Sequence, residues 1–164
     1  MGQDVQIRNI TADDWHGIAE LEASAYSASD LSEGRAALES RARPSPATCF
    51  VLRLDRRTAG YLLALPYPLW QYPDLGRAEK TVFRSTNLHL HDIVIAERHR
   101  GRGLAKRLLH HLTATARSTT HERISLISVA GSETFWSANG YAAHRDIALP
   151  GSYGTNAVYM SKAV

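Results

Sequence analysis

The sequence predicts an α/β domain of three layers, with about seven strands flanked by about four helices, and three observations carry that prediction. Stretches with strand-like alternation and stretches with helical period are interleaved along the whole chain. A strand, a glycine turn and an amphipathic helix follow one another without a break from Leu88 to Ala116. The composition, 44% apolar and 21% charged over 164 residues, is that of one domain, 1–164, with one sizeable core.

In chain order, Val5 to Ile10 alternates apolar and polar residues as a half-buried strand does, and Thr11 with Asp13 and Asp14 supplies a helix start. Trp15, Ile18, Leu21 and Ala25 then recur at three-to-four spacing, an apolar stripe facing a core. A second, weaker helix is predicted over Leu31 to Arg41, ended by Pro44 and Pro46, which lack the amide donor. Thr48 to Leu54 and Ala59 to Leu65, joined by the polar turn Asp55 to Thr58, read as an antiparallel strand pair. From Pro66 to Thr86 prolines and aromatic rings occur without period, which fits either the wall of a site or a surface loop with its rings packed flat.

Leu88 to Ile95 is a strand that runs straight into the glycine turn. Leu104, Ala105, Leu108, Leu109, Leu112 and Ala116 then mark one face of a helix. Ile124 to Val129 is another strand, Glu133 to Ala138 a short helix ended by Asn139-Gly140, and two strands near Tyr141 to Ala148 and Ala157 to Ser161 follow.

Composition narrows the function classes. Nowhere do about 18 apolar residues run together, so neither a signal peptide nor a membrane span is read, and a cytoplasmic protein without a membrane partner is expected. Cys49 is the only cysteine, which excludes an internal disulfide or a multi-cysteine zinc site and reads as a buried, inert thiol. The formal charge of +3 is spread along the chain except in Arg98 to Arg107. That local cluster fits a phosphorylated small ligand better than nucleic acid, whose binding through Arg98 to Arg107 with His110 and His111 would be salt-sensitive. No nucleic-acid partner is expected.

The turn Arg100-Gly101-Arg102-Gly103-Leu104-Ala105 carries the clearest chemistry. Two glycines remove side chains where the backbone must turn sharply, and the following helix leaves its first amides unpaired. The helix dipole adds roughly half a positive charge there, reinforced by Arg100, Arg102 and Lys106, so the turn is an anion nest suited to a pyrophosphate. It lacks the third glycine of a dinucleotide fold and the Gly-Lys-Ser/Thr of a P-loop.

The segment from Ile93 to Ala105 closely resembles the signature of the GNAT superfamily of N-acetyltransferases, Arg/Gln-x-x-Gly-x-Gly/Ala, matched by Arg100, Gly103 and Ala105. Trp136-Ser137-Ala138-Asn139-Gly140-Tyr141 occupies the place of that family's Tyr-x-x-x-Gly-Phe. The resemblance implies a mixed, mostly antiparallel sheet splayed at an acetyl-CoA site. It implies that backbone groups of Ile93, Val94 and Ile95 hold the pantetheine arm, and that amides from Gly101 to Ala105 hold the pyrophosphate with Lys106 at its edge. The acceptor it implies is a primary amine of a small molecule or peptide.

An alkyl ammonium of pKa ~10.4 is only about one part in a thousand neutral at pH 7, so transfer needs a base. His89 and His91 alternate onto one face of the strand before the turn, and imidazole, with unperturbed pKa about 6.5, suits that task. The His-Leu-His segment resembles paired histidines of the arylalkylamine N-acetyltransferases. Sheet-surface histidines and a metal pair are the competing readings, and no third ligand is spaced for a metal, so none is expected. In an ideal strand Asp92 faces the other way, with Leu88, Leu90 and Val94, unless a bulge reverses it. Trp136 stands where the family has the tyrosine that protonates the thiolate, so Tyr141, Tyr153 and Tyr159 stay open for that role. A CoA-binding module without transfer is the alternative function, and a contact through the last strands would make a homodimer.

Overall fold

The computed structural model describes residues 4–29 and 31–164. Seven strands form one sheet: β1 Val5–Asn9, β2 Cys49–Leu54, β3 Arg57–Pro66, β4 Asn87–Ile95, β5 Arg123–Ser128, β6 Ala142–His144 and β7 Val158–Ala163. Their spatial order is β1-β2-β3-β4-β5-β7-β6. Every neighbouring pair is antiparallel except β4 and β5, which are joined in parallel through a crossover helix. Four helices cover the faces: α1 Trp15–Ala25, α2 Arg35–Ala42, α3 Leu104–Ser118 and α4 Glu133–Ala138.

Local chemistry sets these boundaries. The buried Asp14 carboxylate accepts from the Thr11 amide at 2.7 Å and from both terminal nitrogens of Arg8, fixing the entry to α1. The β2–β3 connection is tighter than the predicted four residues: Asp55 and Arg56 both have positive φ, 48° and 69°, making a two-residue hairpin turn whose twist matches the strands. α2 begins at Arg35, four residues later than predicted, because the preceding segment is held elsewhere. There Glu22 of α1, 1% exposed, accepts from the Ser32 hydroxyl and the Glu33 amide. Gly34, at φ 84°, then turns the chain into the helix.

The sheet separates two apolar layers. Phe50, Leu62, Leu88, Leu90 and Ile95 pack under α3 and α4, while Tyr61, Leu63 and Val94 pack under α1 and α2. A bulge in β4 divides these faces unevenly. Leu63 of β3 pairs with Asp92 and the next residue, Ala64, pairs with Leu90, which leaves His91 as the extra residue. Asp92 therefore points to the α1 and α2 side, opposite to Leu88 and Leu90. The ideal-strand expectation is reversed, and His89, His91 and Asp92 share one face.

The parallel β4–β5 ladder is short. Asn87, Leu88 and His89 pair with Arg123, Ile124 and Ser125, and no pairing continues beyond them. The residues of β4 from Leu90 to Ile95 therefore keep β3 on one edge and have an open edge toward β5. The predicted splay lies immediately before the glycine turn.

Candidate active site

A cavity of about 710 Å³ opens where β4 and β5 part. One side is built by the turn. Gly101 and Gly103 adopt φ of 80° and 75°, left-handed values that an L side chain disfavours, and a Cβ on either would point into open space. The first hydrogen bond of α3 runs from the Arg107 amide to the Gly103 carbonyl, so the amides of Leu104, Ala105 and Lys106 have no helical acceptor. Arg100 folds back, its Nε donating to the Ile95 carbonyl at 3.1 Å, which ties the turn to the end of β4. Ile93, Val94, Ile95, Arg100, Gly101, Gly103, Leu104, Ala105 and Lys106 line the cavity, whereas the exposed Arg102 does not. Left-handed glycines, unpaired amides and nearby cations make an anion cradle that fits a pyrophosphate.

The opposite side is built on the α1 and α2 face. His91 lies with its ring 3% exposed, its Nε2 bonded to Glu33 Oε1, while the exposed part of the residue is backbone at the bulge. Glu33 Oε2 accepts from Arg41, which is 1% exposed and also bonds Glu79 and the carbonyls of Asp74 and Arg77. Burial works against the Glu33 charge, yet His91 and Arg41 together hold its carboxyl below the usual range. Asp92 accepts from the hydroxyls of Tyr26 and Tyr61, each at 2.6 Å, and burial pushes its carboxyl up against the pull of His91 and those hydroxyls.

The two histidines are not equivalent. His89 is 1% exposed, its Nδ1 lies 2.9 Å from the Ser125 hydroxyl, and burial, helped by the charges of His91 and Arg41, pushes it down to about 3. A ring so depressed is neutral and weakly basic at physiological pH. Trp136, buried on α4, lines the cavity and packs edge-on against Tyr141. Of the three tyrosines left open, Tyr141 does not line the cavity and its hydroxyl has no bonded partner among the described residues. Tyr153 lines the cavity but gives its hydroxyl to the Pro73 carbonyl, and the fully buried Tyr159 accepts the Trp70 amide. Burial pushes all three phenols up, so each stays protonated near neutral pH.

Glu33, Tyr26 and Asp92 are cavity residues that sequence reasoning did not assign to the site. The segment 67–86 contributes Leu75 to the cavity wall, so the wall reading of that loop holds at this residue. Among the described residues, no three His, Cys, Asp or Glu side chains are grouped to hold a metal.

The acetyltransferase (GNAT) family model matches residues 15–141, more than half of the sequence. The chain belongs to the GNAT acetyltransferase family. No curated protein sequence matches this GNAT chain. Solved structures similar in fold include the loading GNATL domain of CurA from Lyngbya majuscula, at 16% identity and TM-score 0.79, covering 98% of each chain. The GphF GNAT-like decarboxylase in complex with isobutyryl-CoA shares 18% identity at TM-score 0.77, over 96% of this chain and 98% of the other. The PaiA N-acetyltransferase from Thermoplasma acidophilum, in complex with coenzyme A, shares 13% at TM-score 0.70, over 98% and 99%. The seven-stranded sheet opened between β4 and β5 is the GNAT fold, and the family uses acyl-CoA with an acceptor.

Proposed function

We propose that residues 1–164 form one N-acetyltransferase domain that moves an acetyl group from acetyl-CoA to a primary amine of a small molecule or peptide, by direct attack in a ternary complex. The carrying observation is the meeting, in one cavity, of the open β4 edge and the turn amides on one side with His91 on the other. Acetyl-CoA supplies the activated thioester. Backbone groups of Ile93, Val94 and Ile95 bind its pantetheine arm as an added strand would. Amides from Gly101 to Ala105 take the pyrophosphate, with Arg100, Arg102 and Lys106 adding charge.

His91 is the base in this reading. With Nε2 directed at Glu33, its Nδ1 is left to take the amine proton, and Glu33 orients the ring and balances the charge it takes up. Glu33 is a positioning residue, held by Arg41 and by the Glu22 cap on its own amide. His89 supports the wall as a neutral ring. A thiolate of pKa about 8.5 leaves without a dedicated acid, so Trp136 in place of tyrosine is compatible with turnover.

Cys49 carries no acyl group in this scheme. Its thiol is 1% exposed, donates to the Ala64 carbonyl at 3.3 Å and is pushed up to about 12 by burial. No helix among the described residues is long and apolar enough to cross a membrane. The use of acetyl-CoA supports a cytoplasmic location. Initial rates of thiol release, with acetyl-CoA and amine both varied, should give intersecting lines in wild type and in Cys49→Ala. Parallel lines, or loss of activity in a folded Cys49→Ala, would overturn direct transfer. Saturable acetyl-CoA binding with no thiol release for any amine would leave the binding-module reading.

A further inference from the structure

The cavity is charged differently at its two ends. Among the described residues that line it, Arg100 and Lys106 are the only lysine or arginine side chains, and both sit at the glycine turn. Beneath α1 and the connection to α2, the acids Glu33 and Asp92 line the wall beside His91. Arg41 does not line the cavity; it lies behind Glu33 with its two terminal nitrogens divided between Glu33, Glu79 and two backbone carbonyls. Among the described residues, no lysine or arginine lines this end to receive an acceptor's carboxylate.

The polar groups at this end are already matched to one another. Glu33 gives one oxygen to His91 and the other to Arg41, and Asp92 gives one oxygen to each of its tyrosines. What remains of the wall is apolar: Leu31, Leu75 and the rings of Tyr26 and Tyr153, whose hydroxyls are used by Asp92 and by the Pro73 carbonyl. A carboxylate brought here would leave water and face two acids, whereas a hydrocarbon would gain by burial.

We propose that the acceptor is a small apolar primary amine without a carboxylate, an alkylamine or arylalkylamine. Its nitrogen is presented to His91 and its hydrocarbon rests on Leu31, Leu75 and Tyr153. This rests on the amine-transfer reading above and adds to it the chemistry of the acceptor. The acceptor end selects by rejecting negative charge, and the turn end keeps the cations for the phosphates.

The test compares three acceptors with one side chain, at saturating acetyl-CoA: phenethylamine, phenylalanine and phenylalaninamide. The amide controls for the lowered basicity of an α-amino group without adding charge. Phenethylamine and phenylalaninamide should each exceed phenylalanine in kcat/KM by at least about tenfold, the low end of what leaving a buried polar group unpaired costs. Phenylalanine equal to or better than its amide overturns the proposal and leaves amine transfer standing. So does failure of all three alongside turnover of glycylglycine, spermidine or kanamycin. No transfer to any of these amines, with acetyl-CoA bound, overturns the transfer reading itself.

A second variant tests the charge argument at a partly exposed position. Leu75→Arg puts a cation at the acceptor end and should raise the phenylalanine to phenethylamine ratio several-fold. An unchanged ratio in a variant that melts as wild type overturns the proposal.

Discussion

Acidification from pH 7 to pH 5 should destabilise the protein through one residue, His89, by about 2 kcal/mol. The ring is buried and its pKa is pushed down to about 3, against 6.5 for the unperturbed imidazole of the unfolded chain. Below pH 6.5 the unfolded chain takes up a proton that the native ring refuses, so stability falls as pH falls toward 3. The slope approaches about 1.4 kcal/mol per pH unit, and integration from pH 7 to 5 gives the figure above. Other groups titrate in the same window, so the measurement is a difference. Urea unfolding of wild type and His89→Asn at pH 7, 6 and 5 isolates the ring, because asparagine keeps a polar atom near Ser125 Oγ without a titrating group. The variant should lose about 2 kcal/mol less than wild type between pH 7 and 5. Parallel pH profiles would refute the neutral, structural assignment of His89 and return it to the candidates for the base.

Two further perturbations probe the network behind His91. Arg41→Met leaves Glu33 and Glu79 buried without their cation and should cost about 3–5 kcal/mol, or roughly 6–20 °C in Tm. A loss below about 1 kcal/mol by denaturant titration contradicts the buried triad. Burial opposes the Glu33 charge but its partners win, so the stability Glu33 contributes is present above the ordinary carboxylate range and is lost as pH falls through its depressed value. That acid-side loss should shrink in Arg41→Met. His91→Gln should reduce kcat/KM by about 10²–10⁴-fold while calorimetric acetyl-CoA affinity stays within a factor of two or so of wild type. A reduction smaller than about tenfold would assign the proton transfer to water instead.

The seven strands, the four helices and the turn were legible because each rests on local pattern. Leu104, Leu108, Leu112 and Ala116 mark the buried face of α3 at helical spacing, and Gly101 and Gly103 stand where φ is left-handed. The bulge at His91 was not legible, because an inserted residue changes pairing with β3 without changing composition. It decides the site, since it moves Asp92 onto the face of His89 and His91. Glu33 was missed for a different reason. It reaches His91 from 58 positions away in sequence, on a segment predicted as the first turn of α2. Its only local signal is the adjacent Gly34, whose positive φ delays the helix. Arg41, at the end of a helix of weak pattern, carries no local signal of burial, and only the fold brings Glu79 and the 74–77 carbonyls around it.

Everything downstream depends on the cavity beside the turn being the acyl-CoA site, and calorimetric titration of acetyl-CoA into wild type and Gly103→Val tests that directly. A branched L residue at φ 75° is strained by about 1–2 kcal/mol and escapes by rotating the peptide, which turns the amides away from the phosphates. Wild type should bind acetyl-CoA saturably and one-to-one, and the folded variant should bind at least about tenfold more weakly. No binding to wild type, or equal affinity in the two proteins, would contradict the assignment.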